Sequence, residues 1–330
     1  MPSAYRELYE EGRRILEEVP LPDAALDARL LLEEVCGTNL QTLLVYPETT
    51  VNNADCTRYR ALIERRRLRE PTAMILGEWD FMGLTFKVTK DTLIPEQDTE
   101  VLVETALEYY SSSSGHEWFR PIGSAGPEEA AAERESVSAF PADGNERTRN
   151  LRILDLCTGS GCILLSLLHF LPDAVGIGTD ISAGALAVAA ENARRHGLAG
   201  RTILSRGDLW EAVPEGGRFD LIVANPPYVP TERIAALEPE VRCGEPLAAL
   251  DGGTDGLAFY RRILARADGF LKENGLLILE SGFDEAADIR SLMEENGFEV
   301  LRTVKDYGGL DRVVVGKINV REDGFGAAAL

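Results

Sequence analysis

Four consecutive residues, Asn225-Pro226-Pro227-Tyr228, stop a short apolar run, Leu221-Ile222-Val223-Ala224. The run reads as a buried strand of a parallel sheet. In open α/β sheets, ligands bind just beyond the carboxyl ends of strands. Pro226 and Pro227 carry no N–H, so this turn offers carbonyl acceptors with few competing donors. The Asn225 side chain adds a further carbonyl oxygen. Two acceptors converging on one point suit an –NH2 group, which has two hydrogens to give. Tyr228 supplies a flat face on which a planar amide or base can stack. The chemistry expected of this tetrapeptide is a grip on a planar amine or amide that leaves one face of its nitrogen open. A plain Pro-Pro turn capping a strand would show the same four residues, so the rest of the chain has to decide.

A second group lies upstream, in Asp155-Leu156-Cys157-Thr158-Gly159-Ser160-Gly161-Cys162. Glycines after a strand let the backbone approach a ligand and turn into a helix. The spacing is not GxGxxG, so a dinucleotide pyrophosphate is not the natural occupant. Asp155 at the strand end puts a carboxylate where a cationic or amino group would sit. Asp180, at the end of the next strand, suits a ribose diol, because a carboxylate accepts two hydroxyl hydrogens. Asp208, after the third strand, stands where an adenine amino group would lie. Carboxylates around a glycine turn fit an adenosine with a positive centre better than one with phosphates, and S-adenosyl-L-methionine has that shape and charge.

Composition bounds the remaining choices. The chain has 330 residues, 45% hydrophobic and 27% charged, ordinary for a globular protein with room for more than one domain. No apolar run reaches membrane-spanning length, and the start, MPSAYRELYEEGRR, has no apolar signal core. Cys36, Cys56, Cys157, Cys162 and Cys243 form no CxxC pair, and His116, His169 and His196 are scattered. The expectation is a cytoplasmic protein with reduced thiols, no metal site and no membrane contact. The net charge of −21 opposes direct binding to nucleic acid.

The elements that position these groups can be read in order. Residues 1–70 read as an all-helical domain able to recognise a partner, with a start at Leu21-Pro22-Asp23 and a last helix from Asn53 to Glu70. That helix holds Arg58, Arg60, Arg65, Arg66, Arg67 and Arg69, read as a solvated face before a docking surface. Residues 71–95 read as a hairpin hinge about Met82-Gly83. Asp98 or Thr99 can cap a helix reaching Tyr110. Residues 111–149, opening on a serine run, read as a disordered insertion. From Leu151 strands and helices alternate. Strands are expected at 152–157, 174–179, 202–205, 219–224, 275–280, 300–305 and 312–317, the last two antiparallel. Helices are expected at 163–170, 183–196, 254–272 and 284–296. Seven strands with interleaved helices predict an α/β, doubly wound, Rossmann-like sheet over residues 96–318, followed by a frayed tail at 319–330.

DLCTGSG, the Asp180 strand end and NPPY together resemble class I S-adenosylmethionine-dependent methyltransferases that act on amide or exocyclic nitrogens. More narrowly, the chain resembles the release-factor glutamine N5-methyltransferases. The matching pieces include Ile75-Leu76-Gly77, Thr92-Leu93-Ile94-Pro95, Asp98-Thr99-Glu100, Glu240-Val241, Glu245-Pro246-Leu247-Ala248-Ala249-Leu250 and Asp306-Tyr307. It departs from that pattern at Glu96, where the family usually has Arg, at Leu209, and at Ala73-Met74. The resemblance implies a protein-glutamine methyltransferase, monomeric, whose substrate is the Gly-Gly-Gln glutamine of peptide chain release factors. It implies that Cys157, Thr158, Gly159, Ser160 and Gly161 line the methionine part of the cofactor, that Asp180 holds the ribose, and that Asp208 and Leu209 flank the adenine. Asn225, Pro226, Pro227 and Tyr228 would hold the substrate amide. Methylation of a ribosomal-protein glutamine, or of adenine N6 in nucleic acid, are the alternatives that NPPY leaves open.

Overall fold

Three short polar side chains start the helices of the amino-terminal region. Asp23 accepts the Leu26 N–H at 2.8 Å, Asn39 that of Thr42 at 3.0 Å, and Asn52 that of Asp55 at 2.9 Å. Each satisfies a donor that a helix start otherwise leaves unpaired. In the computed structural model, which describes residues 3–111 and 151–318, they precede α2 (Ala24–Cys36), α3 (Leu40–Val45) and α4 (Asn53–Arg67), with α1 (Tyr5–Leu16) before them. Leu8, Leu16, Leu31, Leu32, Tyr59 and Ile63 close their core. The region is not wholly helical, because β1 (Ser3–Ala4) pairs with β2 (Thr50–Val51). The last helix stops at Arg67 instead of Glu70, since Arg69 takes a φ of +72°, which a right-handed helix cannot contain.

The arginine run of α4 is neutralised. Arg58 pairs with Glu34, Arg60 with Glu11, Arg65 with Glu70 and Arg67 with Glu64. Arg66 and Arg69 both reach across to Glu240 of the following domain.

A short helix, α5 (Thr72–Leu76), occupies part of the segment expected as hairpin alone. It leads into β3 (Glu78–Phe81) and β4 (Leu84–Lys87), which pair antiparallel. α6 (Gln97–Ser111) follows. Asp98 and Thr99 lie inside its first turn rather than capping it, and the Thr99 N–H donates to the Glu96 carbonyl at 3.1 Å. Apart from Ser111, the insertion read at 111–149 lies outside the described residues, as does the tail.

The sheet is built from β5 (Arg152–Leu156), β6 (Val175–Asp180), β7 (Thr202–Arg206), β8 (Phe219–Ala224), β9 (Leu271–Glu280), β10 (Phe298–Lys305) and β11 (Asp311–Ile318). Its spatial order is β10-β11-β9-β8-β5-β6-β7. Neighbours from β9 to β7 run parallel, and β11 is antiparallel to both β9 and β10. α7 (Cys162–Phe170), α8 (Ala183–Arg195), α9 (Pro239–Gly244), α10 (Leu247–Leu250), α11 (Ala258–Ala267) and α12 (Ala286–Glu295) connect the strands.

Alternation along the strands fills both faces. Ile153, Leu221 and Val223 pack with Leu164 and Leu168 of α7, whereas Leu154, Leu156 and Ile222 pack with Tyr260 and Ile263 of α11. α11 starts later than expected because Gly253 and Gly256 take φ of +87° and +79°. β9 starts earlier than expected, at Leu271, and carries Asn274 at φ +65° across an irregularity in its pairing with β8. The chain runs outward from β5 through β6 to β7, then returns to place β8 on the other side of β5. That reversal opens a crevice above the ends of β5 and β8, the position at which doubly wound sheets bind ligands.

Candidate active site

A cavity of about 350 Å³ occupies the crevice, a volume suited to a small organic ligand. The structure brings together on its wall Cys157, Thr158, Gly159 and Ser160 after β5, Asp180 at the end of β6, Asp208 and Leu209 beyond β7, and Asn225 and Pro227 beyond β8. Four of the residues read as site residues, Asp155, Gly161, Pro226 and Tyr228, do not line it.

The turn after β5 is folded by left-handed backbone. Cys157, Gly159 and Gly161 have φ of +62°, +56° and +82°. Two of these are glycines, for which the region carries no steric penalty; Cys157 carries one, of the kind that clusters at ligand sites. Gly161 serves as the cap of α7. Asp155 is fully buried beneath the turn, where its Oδ2 accepts the Thr158 hydroxyl at 2.6 Å. Burial pushes its pKa up to about 7, against the opposing pull of that hydrogen bond. The carboxylate expected to face a cation instead shapes the turn from below, because that is where its hydroxyl partner lies. Burial likewise raises the Cys157 thiol pKa, which keeps it neutral.

Asp180 faces the turn. Its Oδ2 accepts the Gly159 N–H at 2.9 Å and its Oδ1 the Ser182 N–H at 2.8 Å. Burial raises its pKa and these main-chain donors lower it. Each carboxylate oxygen keeps a further lone pair for a ligand hydroxyl. Across the cavity Asp208 is held by Arg262 at 2.7 Å. Leu209 follows at φ +50°, a conformation rare for a branched side chain. Phe259 and Arg262 of α11 complete this wall. The sequence reading missed them, since nothing in a helix 50 residues downstream marks which side chains face the sheet ends.

Asn225 Nδ2 donates to the Thr99 hydroxyl oxygen at 3.3 Å. Thr99 is 3% exposed and lines the same cavity. Outside the strand ladders, and among the described residues, no main-chain N–H bonds to the carbonyls of Asn225, Pro226 or Pro227. The register Ala224↔Leu279 sets Glu280 beside Asn225 at the strand ends. Burial pushes Glu280 up to about 8, and its Oε2 has no hydrogen-bond partner among the described residues. Tyr228 packs against the core shared by β8 and β9, and burial raises its hydroxyl pKa well above the usual range. Its ring is part of the protein wall, so the stacking face read from the sequence is not turned toward this cavity.

The mouth is formed by Thr92, Leu93, Ile94 and Pro95 before α6 and by Pro246, Ala248 and Ala249 around α10. Glu245 ties these two segments together by accepting the Ile94 N–H at 3.4 Å. Its burial, with Glu96 nearby, raises its pKa to about 8. Glu96 itself is exposed to water, yet the surrounding protein and Asp98 push its pKa up as well.

Comparison with known proteins gives two family matches. The PrmC N-terminal domain model matches residues 7–77, and the methyltransferase small domain model matches residues 137–237. A release factor glutamine methyltransferase from Agrobacterium fabrum is 44% identical over 92% of this chain and 93% of its own length. Proteins of the same name from Geobacter sulfurreducens and Rhodospirillum rubrum are each 38% identical, over 95% and 94% of this chain and 96% and 84% of theirs. With the helical domain, the glycine turn and the NPPY corner all inside those matches, the chain belongs to the release factor glutamine methyltransferase family.

Proposed function

We propose that the chain transfers a methyl group from S-adenosylmethionine to the side-chain nitrogen of the glutamine in the Gly-Gly-Gln motif of peptide chain release factors. The observation that carries this reading is Asn225. Its amide nitrogen is occupied by Thr99, so its oxygen is the end free to accept an –NH2.

The residues present fit that cofactor. Asp180 keeps lone pairs for a ribose diol, Asp208 and Leu209 offer a place for the adenine, and the turn at 157–160 brings main chain to the cavity. A wall with several carboxylates and one paired arginine favours a cationic centre over phosphates. When bound, the cofactor supplies a sulfonium methyl already activated for transfer. The protein's share is positioning and electrostatics. Asn225 Oδ1 and a carbonyl of the proline corner, of which Pro227 lines the cavity, accept the two amide hydrogens, which raises electron density on a nitrogen that is otherwise a poor nucleophile and fixes its line of approach. The prolines stiffen the corner that carries both oxygens. No side-chain base is required for the transfer, which accords with the scattered histidines. We place the reaction in the cytoplasm, with a monomeric enzyme and a protein substrate rather than nucleic acid; the strongly negative chain and the ion-paired arginines of α4 support this.

The test is incubation of the full chain with methyl-labelled S-adenosylmethionine and, in separate reactions, release factor, ribosomes and duplex DNA. Label on the Gly-Gly-Gln glutamine is expected. Label on ribosomal protein or DNA with none on the release factor overturns the reading. Asn225→Ala is expected to lower transfer by about 100-fold or more, the scale of losing a preorganised polar group, while cofactor binding measured by calorimetry persists. Loss of cofactor binding would show that Asn225 has been given the wrong role.

A further inference from the structure

A branched side chain in left-handed backbone is held there by its neighbours, since only a glycine takes that conformation without penalty. Leu209 is such a residue. It has a φ of +50°, is 5% exposed and lines the cavity on the side read as the adenine's. The residues before and after it, Asp208 and Trp210, both bond to Arg262. We infer that Arg262 is a positioning residue for the cofactor base, a bracket that grips the chain on both sides of Leu209 and holds that wall in shape. The inference rests on the reading of this cavity as an S-adenosylmethionine site.

The two grips use different atoms. The Arg262 guanidinium meets Asp208 Oδ2 at 2.7 Å. The Arg262 main-chain carbonyl accepts the Trp210 indole N–H at 3.1 Å. Residues 208 and 210 are thus tied to one residue of α11, and the backbone between them has little freedom left. Both ends of the bracket are themselves held. The guanidinium carbon lies 5.6 Å from the centre of the Phe259 ring, a cation–π distance. The Trp210 ring stacks on Phe270 at 4.6 Å with an angle of 13° between the planes. Upstream, the Gly207 N–H donates to the Asp180 carbonyl at 3.1 Å, so the segment starts from the residue proposed to hold the ribose. The ion pair occupies Asp208 Oδ2, which leaves Oδ1 as the acceptor for the exocyclic amine of an adenine. The Arg262 and Asp208 side chains are 49% and 38% exposed on the rim of the crevice, so the pair contributes orientation rather than fold stability.

The experiment measures by calorimetry the binding to the full chain of S-adenosylhomocysteine, the demethylated cofactor, and of S-inosylhomocysteine, in which oxygen replaces the 6-amino group. The variants are Arg262→Gln, Trp210→Phe, which keeps the ring and removes the indole N–H, and the two together. The parent is expected to bind the adenine ligand about tenfold more tightly than the hypoxanthine one, the scale of one hydrogen bond to a charged group. Arg262→Gln is expected to raise the Kd for the adenine ligand about tenfold and to cut that preference to about twofold or less. A chain merely loosened loses both ligands alike. Because both grips hold one segment, the double variant is expected to bind about as weakly as either single one, whereas independent contacts multiply to about 100-fold. Multiplied losses, equal affinity of the parent for the two ligands, or an Arg262→Gln chain that keeps the parent's preference overturn the inference while leaving the cofactor reading in place. A parent chain that binds neither ligand overturns that reading and the inference with it. If Trp210→Phe does not fold, the adenine preference of Arg262→Gln decides alone.

Discussion

Arg66→Ala is expected to loosen the contact between the helical domain and the active-site arm. Arg66 is 4% exposed. Its Nε donates to Asp27 Oδ2 at 2.7 Å, and its Nη1 donates to Glu240 Oε1 at 3.0 Å and to the Glu70 carbonyl at 3.3 Å. Removing one partner of a buried ion pair costs about 3–5 kcal/mol, mostly because the opposite charge is left desolvated. Here two carboxylates would be left, but neither entirely alone. Asp27 keeps the Thr72 hydroxyl at 2.6 Å, and Glu240 keeps Arg69. The lower end, about 3 kcal/mol, is therefore expected. Glu240 sits on α9, five residues before Glu245 and six before Pro246, which lines the cavity. The loss should thus reach the site as a higher KM for release factor with an unchanged cofactor Kd. Urea unfolding of the two chains gives the stability term, and steady-state kinetics the second. A loss below about 1 kcal/mol, the range of exposed pairs, would refute the claim that this triad is desolvated.

Two further outcomes follow from the same geometry. Glu245 has a folded pKa of about 8 against an ordinary 4.5, so between those values the folded chain holds a proton that the unfolded chain has released. Stability must fall as pH rises through that window; Glu280 at about 8 and Asp155 at about 7 act in the same direction. The urea midpoint is expected to be lower at about pH 8.5 than at about pH 5.5, and Glu245→Gln should flatten the slope by a few kcal/mol, on the order of 3; an unchanged slope would show that Glu245 is solvated. Gly178→Ala would place a methyl 2.9 Å from Thr158 Oγ1 and 3.0 Å from Leu204 Cδ2. Since Thr158 carries the turn over Asp155, calorimetry should show the cofactor Kd raised by about tenfold, alongside a stability loss of about 1–3 kcal/mol; an unaltered Kd would mean the turn tolerates displacement of Thr158.

What could be read from the chain was what local chemistry fixes. The apolar run 219–224 became β8 with the expected bounds, and the glycine turn and NPPY fell at the ends of parallel strands, because strand ends and turn residues announce themselves within a few positions. The rest is fixed by partners far away in sequence. Nothing near Arg66 shows that its charge will be consumed by Asp27 and Glu240, so a run of arginines looks like a surface until the fold supplies the acids. Nothing in a cysteine or a leucine announces left-handed backbone, yet Cys157 and Leu209 both adopt it beside the cavity. Asp155 shows the limit most directly. A carboxylate at a strand end next to glycines is compatible with facing a ligand or with bracing the turn that faces it, and only the position of the Thr158 hydroxyl separates the two. Asn225 presents the same ambiguity one level up. Its identity shows that it can accept an –NH2, but the contact of its Nδ2 with Thr99, on α6, which leaves the oxygen as its free end, is visible only in the fold. In this protein the reactive residues can be read locally and their orientation cannot, because orientation is set by hydrogen bonds between segments that only the sheet brings together.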